Sequence, residues 1–176
     1  SLAGKTVLIL GTGATQRTVR AVCAAEGAAQ VLCASRSEKP GALRYEQAAA
    51  RQDVNVIINA SPAGMYPKNG PCLVDLAAPG AFPALEAVFD VVYNPLRTRL
   101  VQMAGARGVP CAGGLLMLVA QAKYAAELFL GAPIEERRIL EIYRGLLAEK
   151  AGLALVGMPG AGKSTVGALA AARLGG

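Results

Sequence analysis

The chain has 176 residues, a formal net charge of +6 and 53% apolar residues, and it lacks histidine and tryptophan. This length suits one α/β domain with a buried core, and the composition argues against disorder. The weakly charged stretch 109–122 is too short to span a bilayer. The basic residues are spread along the chain without interleaved aromatic residues, which argues against nucleic-acid binding.

The four cysteines predict buried, reduced thiols. They contain no CxxC pair, and the chain has no histidine to complete a zinc site, so we expect no metal centre. No secretion signal precedes the first predicted strand. We therefore expect a cytoplasmic protein.

Residues 7–13 form a short, branched apolar run that ends on two glycines, which is typical of the first strand of a nucleotide-binding βαβ unit. Gly11 would allow the tight turn, and Gly13 would let the backbone approach a pyrophosphate. A helix over 15–25 would present its N-terminal amides to the phosphates. Gln16 stands where GxGxxG has its third glycine, so a glycine turn without a ligand stays an alternative.

A strand over 29–34 is followed by a charged loop that favours NADP over NAD. An NAD site usually has an acidic residue here, which accepts the ribose hydroxyls. This chain instead has Arg36 between Ser35 and Ser37, a group that would bind a 2′-phosphate and can stack on adenine. An ordinary solvated loop is the alternative.

The remaining segments predict a Rossmann-like, doubly wound parallel sheet with flanking helices. Further strands are expected over 54–58, 87–93 and 109–112, and further helices over 42–51, 97–107, 115–130 and 134–150. Ligands of such sheets bind at the carboxyl ends of the strands. Asn59, Ser61 and Gly64 follow one strand and should therefore lie near a cofactor.

Five motifs occur in the order and spacing found in the cofactor domain of shikimate dehydrogenases. They are Gly11-Thr12-Gly13, Ser35-Arg36-Ser37, the segments 59–65 and 90–95, and the segment 114–122. Residues 3–131 resemble that domain. The family reduces 3-dehydroshikimate to shikimate with NADPH, in aromatic amino-acid biosynthesis, and joins an N-terminal substrate domain to a Rossmann-like cofactor domain.

The resemblance implies a set of binding residues. For the cofactor it implies Gly11, Thr12, Gly13, Ala14 and Thr15 at the diphosphate, Ser35, Arg36 and Ser37 at the 2′-phosphate, Val91, Gly114 and Met117 at the nicotinamide, and Lys39, Asn59, Ser61, Gly64 and Met65 elsewhere. For the substrate it implies Tyr93 and Gln121. Core packing is the alternative for Met117. For Gln121, whose helix neighbours are apolar, structural burial is the weaker alternative, because a buried amide needs hydrogen-bond partners.

Three departures from the family pattern limit this interpretation. Ala14 and Gln16 replace smaller residues, so we expect a crowded phosphate loop and a lower cofactor affinity. The family's basic residue after the clamp falls at Pro40, one place beyond Lys39. The family's catalytic lysine and aspartate belong to the substrate domain, which no part of this chain resembles. We therefore expect no catalytic residue here, and cofactor binding without turnover.

The end of the chain carries a second signature. After a helical linker over 132–150, a strand over 153–156 runs into the P-loop pattern GxxxxGK[ST]. Its residues are Gly157, Gly160, Gly162, Lys163, Ser164 and Thr165. Lys163 would neutralise β/γ-phosphate charge and Ser164 would bind magnesium.

Residues 151–176 resemble the beginning of a shikimate kinase. The whole sequence then reads as a fragment of a bifunctional dehydrogenase–kinase, with its cofactor domain over 1–131. ATP and magnesium would bind only to a complete kinase domain, so no kinase activity is expected here.

Two other functions remain open. The expected substrates are shikimate and 3-dehydroshikimate. A related enzyme could instead act on quinate or another polyol acid. A dehydrogenase-like module that has lost its cofactor could instead have an assembly role. Because helices 115–130 and 134–147 have apolar faces, we also expect self-association, and we expect no nucleic-acid or membrane partner.

Overall fold

The computed structural model describes residues 1–70, 72–150 and 156–174. The strands are β1 (Thr6–Leu10), β2 (Gln30–Ser35), β3 (Leu43–Arg44), β4 (Val56–Asn59), β5 (Ala87–Asp90) and β6 (Cys111–Ala112). The helices are α1 (Ala14–Ala25), α2 (Tyr45–Ala49), α3 (Arg99–Ala106), α4 (Leu115–Leu130), α5 (Arg137–Lys150) and α6 (Lys163–Leu174). The strands are all parallel and form one sheet in the order β3-β2-β1-β4-β5-β6. This order is that of a Rossmann-like sheet, so the predicted fold class is confirmed.

β1 lies at the centre of the sheet and is buried on both faces. Leu8 pairs with Leu32 of β2 on one side and with Ile57 of β4 on the other. Because successive side chains alternate between faces, Leu8 packs into one core cluster and Val7 into the other. Burial on both faces explains why the strand reads as a continuous apolar run.

The helix predicted over 42–51 is wrong in its first part. Leu43 and Arg44 form β3, and Leu43 pairs with Ala34 of β2. Arg44 is extended and caps α2, because its N–H donates to Gln47 Oε1 at 2.7 Å. Sheet pairing and this cap outweigh the helical composition of the segment.

Two other predicted elements are shortened by side-chain hydrogen bonds. The strand predicted over 87–93 ends at Asp90, whose carboxylate accepts the N–H of Val92 at 3.0 Å and so turns the chain. The helix predicted over 134–150 begins only at Arg137, because the N–H of Ile134 is bound by Glu127 Oε1 at 2.7 Å. The predicted strand 153–156 lies largely outside the described residues.

α4 has the bounds predicted for it and ends where Gly131 adopts the left-handed conformation, with φ +64°. None of the helices that the structure describes is both long enough and apolar enough to cross a membrane. The described residues also contain no group of three or more His, Cys, Asp or Glu side chains placed to hold a metal ion. The thiols are free, and Cys23 and Cys33 are buried as predicted, whereas Cys72 and Cys111 are only half-buried.

Replacing Leu8 by alanine should lower the free energy of unfolding by about 2–5 kcal/mol, because it opens a cavity in a fully buried strand. Val22→Ala is the matched control: Val22 is 53% exposed on α1, and its change should stay within about 0.5 kcal/mol. Urea unfolding followed by circular dichroism measures both. Equal losses in the two variants would contradict the assignment of β1 as the core strand.

Candidate functional site

An open groove of about 220 Å³ runs along the carboxyl ends of β1, β2 and β4. Its lining residues come from the loop after β1, the loop after β2, the start of α2 and the loop after β4. They are Gly11, Thr12, Gly13, Ser35, Arg36, Ser37, Lys39, Tyr45, Ala60, Ser61 and Pro62. The groove therefore joins the predicted diphosphate loop to the predicted 2′-phosphate clamp.

The diphosphate loop requires glycine at its first position. Gly11 has φ +111°, and a Cβ there would lie 3.0 Å from Ser61 Cβ and 3.2 Å from the carbonyl oxygen of Ala60. The loop leads directly into α1, which Gly13 caps without any side-chain hydrogen bond. The first-turn amides of a helix capped in this way can bind an oxyanion.

The side chain of Gln16 does not crowd the diphosphate loop in this described part of the chain, contrary to the expectation from the sequence. Its side chain is buried on the inner side of α1, where Nε2 donates to Cys33 Sγ at 2.9 Å. Ala14 is exposed in the first turn, and a Cβ at Gly13 would meet open space. Gln16, at the position of the third glycine of GxGxxG, therefore packs α1 against β2.

The clamp loop presents two cations to the groove. Ser35 is buried and its hydroxyl donates to the carbonyl oxygen of Ser37, whereas the Arg36 side chain is exposed. Lys39 reaches across to the diphosphate loop, where its Nζ donates to Thr12 Oγ1 at 2.9 Å. Arg36 and Lys39 belong to the same loop, but Lys39 lies against the neighbouring loop after β1.

Tyr45 is a groove residue that the sequence reasoning missed. It is half-buried at the junction of β3 and α2, and burial raises the pKa of its phenol, while the nearby positive charge of Arg36 partly opposes that rise. The erroneous helix over 42–51 hid this junction. The break at Pro40 and Gly41, with Gln47 placed to cap a helix, was the available signal.

A buried polar network connects the ends of β4 and β5. Asp90 Oδ1 accepts from Asn59 Nδ2 at 2.9 Å and from the N–H of Val92 at 3.0 Å, and Oδ2 accepts from Thr98 Oγ1 at 2.6 Å. Asn59 Oδ1 in turn accepts from Ser61 Oγ at 2.7 Å. Asn59 is 2% exposed, so it holds the loop after β4 in place and does not line the groove.

Gly64 and Met65 are the other two residues predicted after β4. Gly64 is buried with φ +86°, and Met65 is half-buried. Neither residue lines the groove that contains Ser61. A direct role of Gly64 or Met65 in cofactor binding stays a prediction.

The segment after β5 meets the start of α4. The N–H of Gly114 donates to the carbonyl oxygen of Val92 at 3.0 Å, and a Cβ on Gly114 would lie 2.0 Å from the carbonyl oxygen of Val91. No side chain fits there. Tyr93 is 42% exposed. Met117 is 46% exposed, which rules out the core-packing alternative for it.

The exposure of Gln121 agrees with its predicted position at the substrate, and its role there stays a prediction. Gln121 is exposed, and Lys123, two residues further along α4, is the buried polar side chain. Lys123 Nζ lies 2.7 Å from Glu136 Oε1 and 3.0 Å from Glu127 Oε1. Its hydrogen bond to Glu136 is the largest influence that raises the pKa of Lys123, and the three charges tie α4 to the start of α5.

The second predicted motif forms a glycine loop before α6. Gly160 and Gly162 have φ +81° and +72°, and α6 begins at Lys163. Lys163 Nζ donates to the carbonyl oxygens of Gly157 at 2.7 Å and Met158 at 2.6 Å. Ser164 and Thr165 follow in the first turn of the helix, where a P-loop has its magnesium-binding hydroxyl.

No protein-family profile matches the chain. A curated relative from Thermosynechococcus vestitus, named shikimate dehydrogenase (NADP(+)), is 33% identical over 141 residues. That match covers 72% of this chain and 49% of the relative, so the chain spans about half the length of the curated relatives that it matches.

Two solved structures have the same fold. One is a chorismate mutase/shikimate 5-dehydrogenase fusion protein from Clostridium acetobutylicum, with 27% identity, a TM-score of 0.77, and coverage of 84% of this chain and 56% of that one. The other is shikimate dehydrogenase 1 from Peptoclostridium difficile, with 28% identity, a TM-score of 0.76, and coverage of 86% and 56%.

Asp90 gives the site a testable pH dependence. Burial raises the pKa of this carboxyl group, and hydrogen bonds from Thr98, Val92 and Asn59 partly oppose the rise. A folded-state pKa above the unfolded value means that stability is greatest at acid pH and is lost as pH rises through the folded pKa. Between about pH 3.5 and pH 7, the stability of the wild type relative to Asp90→Asn should therefore fall.

Urea unfolding of both proteins across that pH range measures this difference. Because both proteins share all other titrating groups, the comparison isolates residue 90. A wild type that gains stability relative to Asp90→Asn as pH rises would show that hydrogen bonding to the carboxylate outweighs its burial.

Proposed function

We propose that the chain is the NADP(H)-binding part of an oxidoreductase of the shikimate dehydrogenase type. In the whole protein, the reaction would be the reversible reduction of 3-dehydroshikimate to shikimate. The observation that carries this proposal is the groove itself, because one groove is lined both by the N-terminus of α1, which has no side-chain cap, and by the exposed Arg36. The similarity to relatives named shikimate dehydrogenase (NADP(+)) supports it.

The residues along the groove fit the parts of a dinucleotide. The turn at Gly11 and the first amides of α1 suit the diphosphate. In this described segment no side chain caps these amides, so they could donate to a phosphate oxygen. Arg36 suits the 2′-phosphate, since a guanidinium can bind phosphate with two parallel hydrogen bonds. Tyr45 lies beside Arg36 and adds an aromatic surface for the adenosine.

The nicotinamide is assigned to the surface formed by Val91, Gly114 and Met117. When bound, the nicotinamide ring supplies or accepts the hydride. The contact between Gly114 and the backbone of Val91 excludes any side chain at that position and so keeps this surface flat. The exposed side chains of Tyr93 and Gln121 are assigned to the substrate.

We expect these residues alone to bind the cofactor without turnover. The resemblance assigns the catalytic lysine and aspartate to a substrate domain that residues 1–176 do not resemble. The choice between shikimate and quinate would depend on that domain, so assays of a whole protein on both acids would separate the two. A non-catalytic module is less consistent with a groove that Gln16 leaves open.

The segment 157–165 is proposed to be the P-loop that begins a domain of the shikimate kinase type. The two positive-φ glycines and the position of Lys163 at the start of α6 support this assignment. The cofactor domain would then cover 1–131, the linker 132–150 and the kinase start 151–176. ATP and magnesium would bind there only in a complete kinase domain.

The end of α4 is proposed as a contact between copies of the chain. Leu128, Phe129 and Leu130 are 87%, 90% and 70% exposed, and such a run of apolar side chains is unusual on a monomer surface.

Light scattering at high concentration should show a dimer or larger species that Phe129→Glu dissociates, because a buried carboxylate would have no partner in the contact. Tyr66→Glu, at another exposed aromatic residue, is the matched control and should leave the mass unchanged. A wild type that stays monomeric would contradict this assignment.

Isothermal titration with NADP⁺ and NAD⁺ tests the cofactor assignment. Arg36→Ala should weaken NADP⁺ binding about 10- to 100-fold, because a hydrogen-bonded charge pair is lost, and should change NAD⁺ binding less than about threefold. Arg20→Ala, an exposed arginine of α1 outside the groove, is the matched control. Failure of the wild type to bind either nucleotide would support the non-catalytic module instead.

A further inference from the structure

The connection between β2 and β3 is unusually short for parallel strands. Ala34 pairs with Leu43, and only residues 36–42 join the two strands. Parallel neighbours ordinarily need a crossover of about a dozen residues or more. Here Gly41, with φ +73°, and a bridge between Lys39 and Ala42 turn the loop back on itself.

This turn places Lys39 over the end of β1. Its Nζ donates to Thr12 Oγ1 at 2.9 Å, and Thr12 lies between the two glycines of the diphosphate loop. Among the ion pairs of the described residues, none involves Lys39. The ammonium group is thus held beside an anion-binding helix N-terminus with a neutral hydroxyl as its partner.

We propose that Lys39 binds the diphosphate of the cofactor and that, of these two residues, only Arg36 binds the 2′-phosphate. This inference rests on the proposed function. The ammonium would exchange the hydroxyl of Thr12 for a phosphate oxygen, which is a stronger, charge-assisted hydrogen bond. Since NADP⁺ and NAD⁺ share the diphosphate, Lys39 contributes affinity for both and selectivity for neither.

The positions of the two cations in the groove support this division. Arg36 lies beside Tyr45, near enough for its charge to act on the phenol. Lys39 instead contacts Thr12 of the diphosphate loop. Two residues three positions apart in one loop would therefore contact different parts of the cofactor, because the short connection folds the loop.

Phosphorus NMR of bound NADP⁺ tests the assignment, because the 2′-phosphate and the diphosphate give separate signals. Lys39→Met should move the diphosphate signals and leave the 2′-phosphate signal in place, and Arg36→Met should do the reverse. In parallel titrations, Lys39→Met should weaken NADP⁺ binding about tenfold. Lys68→Met, at an exposed lysine outside the groove, is the matched control and should change neither signal.

Retention of the wild-type diphosphate shift in Lys39→Arg, which keeps the positive charge, would support a charge contact. Lys39→Gln replaces Lys39→Met, with the same readout, if the methionine variant does not fold. This inference would be overturned if Lys39→Met moved the 2′-phosphate signal, or if it moved neither signal, while NADP⁺ still bound. The proposed function would then still stand. Absence of NADP⁺ binding by the wild type would instead overturn the proposed function, and this inference with it.

Discussion

The sharp turn at Gly11 is the constraint on which the groove depends. The chain leaves the centre of the sheet with φ +111° and passes so close to the loop after β4 that a Cβ would lie 3.0 Å from Ser61. Because of that close approach, the N-terminus of α1 opens directly onto the carboxyl edge of the sheet. A bulkier residue would push α1 away from β4 and separate the loops that bound the groove.

The network around Asp90 fixes the other half of the same edge. Asn59 and Thr98 hold the carboxylate from two different elements, and the carboxylate holds the N–H of Val92. These bonds set the path of the chain past Val91, where Gly114 packs against the backbone. Buried polar groups that are fully paired make such a corner rigid, so the ends of β4 and β5 keep a fixed position at this edge of the sheet.

Except for β3 and the start of α2, the strands and helices of the cofactor domain could be predicted because they depend on local signals. The apolar run of β1, the glycine that ends α4 and the spacing of the glycine loops all appear in the sequence. Lys39 and Tyr45 could not be placed, because their positions depend on how β3 pairs with β2 across a short loop. The burial of Lys123 could not be predicted either, because it depends on ion pairs with Glu127 and Glu136.

Titration of NADP⁺ into the ¹⁵N-labelled chain, followed residue by residue through the amide NMR signals, tests the central claim most directly. We expect shifts at 11–15, 35–39 and 114–117, with the amides of 157–164 unchanged. Shifts confined to 157–164, or no shifts at any ligand concentration, would contradict the assignment of the groove as a dinucleotide site.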